Sequence, residues 1–578
     1  MRKLRRHFFI PLGAAAALVA ASWLSQKQYF TRVADLVSAP GIAHPLSLIS
    51  TQRMVVAHLA LILAVVAAAV YYCFDRSDLG VLYRGSVERF FNKFWPFGLI
   101  LLAFLLYHPG LPLDPHHYHY FLGAVNDIYQ GKGLLYETSH LYGLFDVYFL
   151  ALLFKVIPFS YPMFAAVITA AYFLFFCGIF VFLRRWLNSY TLSTLGVSII
   201  VPMLYFIRTS DTQSALFLPA LSPLRWGLYL PVLFSVLAYA RSGKRKFAHL
   251  AMVISAAAVF WNFDTGIFLS LATLATFMYQ ELNPGWNIRE AGKILLHFFL
   301  YGLSLFALTS LINRGVYGSW PHWSLFLRES KDFVLGAAMH PLPPLGLYQI
   351  IFYTYLLSLA VIFYKLVGRK TVDLPLVFLS VYGVFSMVHY IGESTGQIFS
   401  AVTAPFVLII LYAVDNFWKE NYQPAYERLV ATGLACLVFM AAFLAIFKLP
   451  VEFSTRHYTQ AGESLFNVRA EELDTYYDAK YLQAHYQQKR LPIISLNDTK
   501  LLTYSKKANY FDFYYIFTIY FRSQMQKYID QARSEKPAML IVGRNNYRND
   551  QVEYFSAGVQ DLYAVSESLK TVDVYTLR

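Results

Sequence analysis

This chain of 578 residues has little charge. Asp, Glu, Lys and Arg make up 14% of it, where a soluble domain carries roughly 25%. Cysteine is nearly absent. Cys73, Cys177 and Cys436 each lie inside an apolar run, so there is no disulfide framework, no CxxC and no Cys/His zinc spacing. There is also no Walker A loop, no GxGxxG after a strand, no GxSxG and no HExxH. A nucleotide-driven pump or a soluble-type hydrolase would lack its phosphate loop or its nucleophile. No period of about 20–50 residues repeats, which excludes solenoids and propellers.

Apolar and aromatic residues are abundant: 57% of the chain is hydrophobic and 18% aromatic, with 44 Tyr and 50 Phe. A spanning helix needs about 20 apolar residues. Candidate runs, several of them short, lie at 8–24, 54–74, 94–108, 163–183, 189–207, 226–240, 248–260, 266–280, 294–312, 346–367, 373–390, 398–414 and 429–447. The pattern predicts a polytopic α-helical membrane protein with about thirteen transmembrane helices. The first run, behind the basic start Met1–His7, reads as an uncleaved span, because no small-residue cleavage site follows it. The net charge of +14 sits largely in short loops between spans. The positive-inside bias accounts for it without a nucleic-acid partner.

The basic loops set the orientation. Asp75–Lys93, Arg184-Arg185, Arg241–Lys246, Lys365–Lys370 and Lys419–Arg428 can all face the cytoplasm if Gly143–Ile157 does not cross. That stretch, short and containing Asp146, is expected to lie in the outer interface. The amino terminus is then cytoplasmic and the carboxyl terminus extracytoplasmic. Outside lie 26–53, 109–162, 208–225, 262–265, 313–345 and 389–397. Residues 449–578 have no run long enough to span. Strand-like runs at Leu491–Leu496, Ala538–Val542 and Val572–Leu577, with a helical pattern over Tyr514–Ser534, predict a small extracytoplasmic α/β domain. The expected organisation is 1–93 (extra membrane helices), 94–448 (a transmembrane catalytic module with outer loop 109–162) and 449–578 (the soluble domain).

The polar residues that could carry chemistry gather in the outer loops. Asp114 sits between Leu113 and Pro115, its backbone restrained beside the bilayer. It can cap the following helix, and it can also take a proton from an acceptor hydroxyl or hold a divalent ion. His116, His117 and His119 allow a metal reading, although His116 and His119 are only a passable pair. The plainer reading is histidines bonding headgroups or backbone. Residues 115–130, with Tyr118, form an amphipathic pattern suited to an interface. Asp127 and Glu137 are further acids, each of which could be a solvated surface charge. Lys132 and His140 lie beside them. Arg208 and Arg225 can fork onto phosphate oxygens or snorkel to headgroups. Asp264 sits where Trp261–Gly266 separates two short spans. It can cap the next helix, the commoner role, or contact a polar substrate. His322, His389 and Glu393 complete the outer ring.

The motifs Gly123-Ala124, Asp127, Gly131-Lys132 and His140-Leu141-Tyr142-Gly143, behind Asp114 and before the helix Phe145–Ile157, resemble those of the integral-membrane GT-C glycosyltransferases. Within that superfamily, the nearest likeness is to the protein mannosyltransferase and aminoarabinose transferase-like members. The paired helices around Trp261–Gly266 and the carboxyl-terminal domain are similar as well. The resemblance implies transfer of a sugar from a polyprenyl-phosphate-linked donor to a glycan, lipid or protein acceptor. By the same resemblance Asp114 would be the general base and Arg225 or Arg208 would hold the carrier phosphate. Some relatives carry an acidic pair where Asp-Pro-His-His stands here. A divalent metal therefore remains a possible cofactor with no assigned ligands. The expected setting is a bacterial inner membrane. The alternative is a transporter or flippase of a lipid-linked saccharide without catalysis, or, third, a ligase of preassembled glycans.

Overall fold

The computed structural model of the chain describes residues 92–93, 115–206, 218–283, 287–334, 347–392, 396–420, 473–544 and 547–578. The expected spans 8–24, 54–74, 94–108 and 429–447 lie outside the described residues. The other nine expected spans each coincide with a helix.

The described chain opens with α1 (Pro115–Tyr129), α2 (Phe145–Leu153), α3 (Tyr161–Leu187) and α4 (Tyr190–Phe206). Local chemistry sets the bounds of α3. Ser160 caps it by accepting the Met163 N–H at 3.2 Å, proline occupies its first turn, and Asn188 closes it in the left-handed region with φ of 57°. Arg184 and Arg185 in its last turn complement the helix dipole. There follow α5 (Tyr229–Ser242), α6 (Arg245–Trp261), α7 (Phe263–Leu282), α8 (Ile288–Tyr317), α9 (Leu347–Val367), α10 (Leu374–Gly392) and α11 (Gly396–Glu420). Among the described residues, five helical runs are long and apolar enough to cross a membrane: Tyr161–Leu187, Pro219–Ser242, Ile288–Tyr317, Tyr348–Val367 and Leu374–Gly392. At nine residues, α2 reaches only about 14 Å and is too short to cross.

The carboxyl-terminal region is an α/β unit. Two short strands, β1 (Arg490–Leu491) and β3 (Ala508–Asn509), pair in parallel, and the main sheet has the order β2-β4-β6-β5, formed by Ile493–Ile494, Met539–Gly543, Val572–Leu577 and Tyr563–Ser568. Strands β2 and β4 are parallel, and the remaining pairs are antiparallel. Helices α12 (Leu473–His485), α13 (Asp498–Ser505), α14 (Arg522–Glu535) and α15 (Asp550–Val559) cover it. All five residues of β4 are buried, which explains why its sequence is a continuous apolar run rather than an alternating one. The helical pattern expected over Tyr514–Ser534 is shorter than predicted. The helix starts at Arg522, and Tyr514–Tyr520 is irregular with a 3₁₀ turn at Ile516–Thr518. Tyr514, Tyr515 and Ile516 are buried in the same core as Tyr118 and Phe121 of α1, and tertiary packing overrides the helical period there.

That packing also corrects the expectation for α1. An amphipathic surface helix keeps one polar face wet, yet Tyr118–Asp127 has no exposed position. One side packs on the bundle and the carboxyl-terminal domain covers the other. Asn126 donates to the Lys507 carbonyl at 2.8 Å, and the Leu141 N–H donates to the Tyr514 hydroxyl at 3.1 Å. Arg328 donates to the Tyr528 hydroxyl at 2.9 Å, and Gln524 to Asp332 at 2.7 Å. The domain is docked on α1, the segment that follows it and the segment 328–332, with apolar core running through the joint.

Candidate functional site

The break between α6 and α7 begins with a cap. Asn262, extended at φ −151° and ψ 116°, accepts the Thr265 N–H and hydroxyl at 3.3 and 3.0 Å. The cap expected of Asp264 therefore belongs to Asn262, two residues earlier. Asp264 still accepts the Thr265 N–H through Oδ1 at 2.7 Å. Its Oδ2 is left for other partners.

Those partners are Arg225 and His389. Arg225 Nη2 lies 2.7 Å from Asp264 Oδ2, and His389 Nδ1 lies 3.2 Å from the same oxygen. The Nε2 of His389 is 3.4 Å from Arg225 Nη2. Arg225 is only 6% exposed. It sits in the short helix Pro223–Trp226, capped by Ser222, and Thr265 Oγ1 donates to its carbonyl at 3.1 Å. Its guanidinium lies 4.5 Å from the centre of the Tyr142 ring and 5.3 Å from that of Trp226. A buried guanidinium needs a carboxylate and π faces in place of water. The arrangement excludes a simple snorkelling arginine, whose head group would reach water. Asp264, with 29% of its side chain exposed, is the open edge of the cluster.

Tyr142 reaches Arg225 because the chain around Gly143 presses against the α6–α7 break. Leu144 N–H donates to the Phe260 carbonyl at 2.7 Å, and Phe263 N–H to the Tyr142 carbonyl at 2.8 Å. A Cβ on Gly143 would stand 2.0 Å from the Trp261 carbonyl oxygen, so only glycine fits. The mirror contact is at Gly266, where a Cβ would meet the Ala258 carbonyl oxygen at 2.3 Å.

Behind Tyr142 lies a buried pair. His140 Nε2 faces the Tyr120 carbonyl at 3.0 Å, and its Nδ1 lies near the Gly143 carbonyl and N–H at 3.1 and 3.3 Å. Burial pushes this histidine down to about 4, so it is neutral near neutral pH and carries one ring proton. Asp146, 3.7 Å away, is buried, with Oδ2 without a hydrogen-bond partner, and burial raises its pKa well above the usual carboxylate range. A neutral acid beside a neutral imidazole avoids two uncompensated charges.

No protein-family model matches the chain, and no curated protein sequence does. Among solved structures, ArnT from Cupriavidus metallidurans bound to undecaprenyl phosphate is similar at a TM-score of 0.45 and 10% identity, over 83% of this chain and 97% of that one. ArnT from the same organism in the apo state gives a TM-score of 0.40 and 11% identity, over 84% and 98%. At such scores and identities the likeness does not establish a shared fold.

Of the residues singled out in the sequence, Arg225, Asp264 and His389 come together. Asp114, Arg208 and Glu393 lie outside the described residues. Asp127 is 1% exposed and 3.6 Å from Lys132, whose ammonium donates to the Phe511 carbonyl at 2.8 Å. Burial raises the Asp127 pKa against the pull of Lys132. These two residues seal the joint with the carboxyl-terminal domain, which corrects the reading of Asp127 as a solvated charge. Glu137 pairs with Arg490 of that domain at 2.5 Å. His140 is built into the fold as described. His116 meets the hydroxyls of Tyr515 and Tyr120 at 2.9 and 3.2 Å, His117 touches its ring, and Tyr118 stacks on Tyr161. His322 is exposed, with its N–H on the Leu135 carbonyl at 2.8 Å. Among the described residues no three His, Cys, Asp or Glu side chains are grouped to hold a metal ion.

Sequence reasoning named Tyr142 only as part of a motif and passed over Asp146 as a site residue. A Tyr-Gly pair after a histidine was the available signal for Tyr142. For Asp146 it was an acid in an otherwise apolar stretch.

Proposed function

We propose that this protein is a membrane glycosyltransferase that moves a sugar from a polyprenyl-phosphate-linked donor to an acceptor at the extracytoplasmic face. The observation that carries this reading is Arg225. It is a buried guanidinium held by Asp264 and His389 on the Tyr142 ring, at the break between two apolar helices. A guanidinium has five donors in a planar fork, so two oxyanions can share it. Asp264 holds the fork in place, and a phosphate arriving at the open edge beside Asp264 meets a fixed positive charge.

In the proposed reaction the acceptor oxygen attacks the anomeric carbon and the carbon–oxygen bond to phosphate breaks. The hydroxyl proton passes to a carboxylate, for which Asp114 is proposed. The carrier phosphate leaves as an anion, stabilised by Arg225. A positioned base contributes typically about 10²–10⁴-fold. The lipid tail lies against the apolar helices, and residues 449–578 form the outer domain beside the acceptor. A divalent ion at Asp114 stays within the proposal as an optional aid.

The test is purified chain in lipid nanodiscs, given undecaprenyl phosphate and a radiolabelled undecaprenyl-phosphate sugar with a membrane extract as acceptor source. The expected result is tight binding of the carrier, abolished in Arg225→Gln, and sugar transfer lost in Asp114→Asn with binding kept. Carrier binding without any transfer, combined with movement of the lipid-linked sugar across a bilayer, replaces this reading with a flippase.

A further inference from the structure

A recess whose lining does not include Arg225 lies at the seam between the segment joining α1 to α2 and helix α14. It is an open cleft of about 630 Å³. That segment contributes Glu137, and the domain contributes Arg490, Tyr510, Asp512 and the exposed side of α14. Lys132 closes the base, its charge already met by Asp127 and the Phe511 carbonyl.

The walls mix charged groups with the rings of Tyr510 and Phe511, and most of their charges are paired. Arg490 holds Glu137 at 2.5 Å, and Lys527 holds Asp512 at 2.7 Å. The Tyr510 hydroxyl is bonded to Glu535. Asp530 and Gln531 of α14 add a further carboxylate and an amide. Two exposed cations therefore stand against four carboxylates. That balance disfavours a phosphate or any polyanion. No Leu, Ile, Val or Met side chain lines the cleft, its ring surface coming from Tyr510 and Phe511, which disfavours a lipid tail or a peptide's aliphatic anchors. Closely set carboxylate, guanidinium and amide groups match a ligand whose every group both donates and accepts. Because the pairs are already held, binding costs little side-chain entropy.

We infer that this cleft is a saccharide-binding site, taking a hydroxyl-rich oligosaccharide that is neutral or amine-bearing and not an anionic one. The inference goes beyond the proposed transferase reading and does not depend on it. If transfer occurs, the cleft holds sugars distal to the reacting hydroxyl.

The test is saturation-transfer NMR on the full chain in lipid nanodiscs, which avoids glycoside detergents that carry a sugar themselves. The probes are tri-glucosamine, maltotriose and trigalacturonate. Tri-glucosamine and maltotriose are expected to receive saturation and trigalacturonate to receive little. Ser534→Trp, which fills the cleft from the exposed side of α14, should weaken the signal at least tenfold while undecaprenyl phosphate binding stays unchanged. If that variant misfolds, Gln531→Ala and Asp530→Ala serve in its place, each with an expected three- to tenfold loss. The inference is overturned by no saturation of either sugar, by signals that the variants leave intact, by strongest binding of trigalacturonate, or by capture of a basic peptide in preference to sugar. Carrier binding to Arg225 is measured on the same sample, so failure here is separable from failure of the transferase reading.

Discussion

The guanidinium of Arg225 lies 4.5 Å from the centre of the Tyr142 ring, joining the segment between α1 and α2 to the break between two bundle helices. A cation over an aromatic face contributes about 1–2 kcal/mol where water is partly excluded. Tyr142→Leu should therefore weaken undecaprenyl phosphate binding about 5- to 30-fold, because Arg225 loses its seat. Tyr142→Phe keeps the ring and should stay within about threefold. Titration by native mass spectrometry or fluorescence would decide. Equal losses in both variants would show that the hydroxyl, not the ring, matters.

Asp264 and Arg225 should behave differently when each is removed. Asp264→Asn leaves a buried guanidinium with a weakened partner. Breaking a fully buried pair costs about 3–5 kcal/mol, and the partial exposure of Asp264 reduces this to about 2–3 kcal/mol. The thermal midpoint should fall, yet carrier binding should persist, since the cation remains. Arg225→Gln should abolish carrier binding. A variant Asp264→Asn that is stable but unable to bind would show that the charged carboxylate is needed to orient Arg225.

The pH dependence of stability has two opposed sources in the His140–Asp146 pair. The folded pKa of His140 is pushed below its ordinary value to about 4, so between about 4 and 6.5 the unfolded chain binds the extra proton. Stability from this group is complete above the ordinary value and is lost as pH falls, by at most about 3 kcal/mol. Asp146 is shifted upward by burial. The folded chain takes up its proton first, so its contribution declines as pH rises from the ordinary carboxylate value through the folded one. Asp146→Asn should steepen the loss of thermal midpoint on acidification. His140→Gln should flatten or reverse it. Parallel curves for wild type and both variants would remove the pair from the account.

Gly143→Ala places a methyl group 2.0 Å from the Trp261 carbonyl oxygen. The neighbouring atom is backbone and cannot swing away, so the loop must separate from the α6–α7 break. The expected cost is above about 2 kcal/mol, with Tyr142 carried off Arg225 and carrier binding lost alongside stability. A thermal midpoint and carrier affinity equal to wild type would show that the approach is looser than described.

Much of the helical architecture was legible because burial in lipid demands long apolar runs, and such runs are a one-dimensional signal. Nine expected spans coincide with helices for that reason. The run at β4 was legible as a strand by its length and its Pro537 boundary. The helix Arg522–Glu535 was legible in part: its period was visible, while its start was displaced by tyrosines that pack on α1. Asp127 read as a surface charge because nothing local announces that a domain nearly 400 residues further along the chain will cover it.

What the sequence determined by itself is solvent preference: which segments belong in a membrane, which in water, and where polar residues interrupt apolar ones. What only the tertiary structure decided is partnership. Arg225, Asp264 and His389 are 39 and 125 residues apart along the chain, yet they meet within 3.4 Å. Glycine at 143 lets two backbones touch where any side chain would hold them apart. Hydropathy follows from each residue's own transfer free energy. A buried ion pair depends on two residues arriving at one place, and that is set by packing.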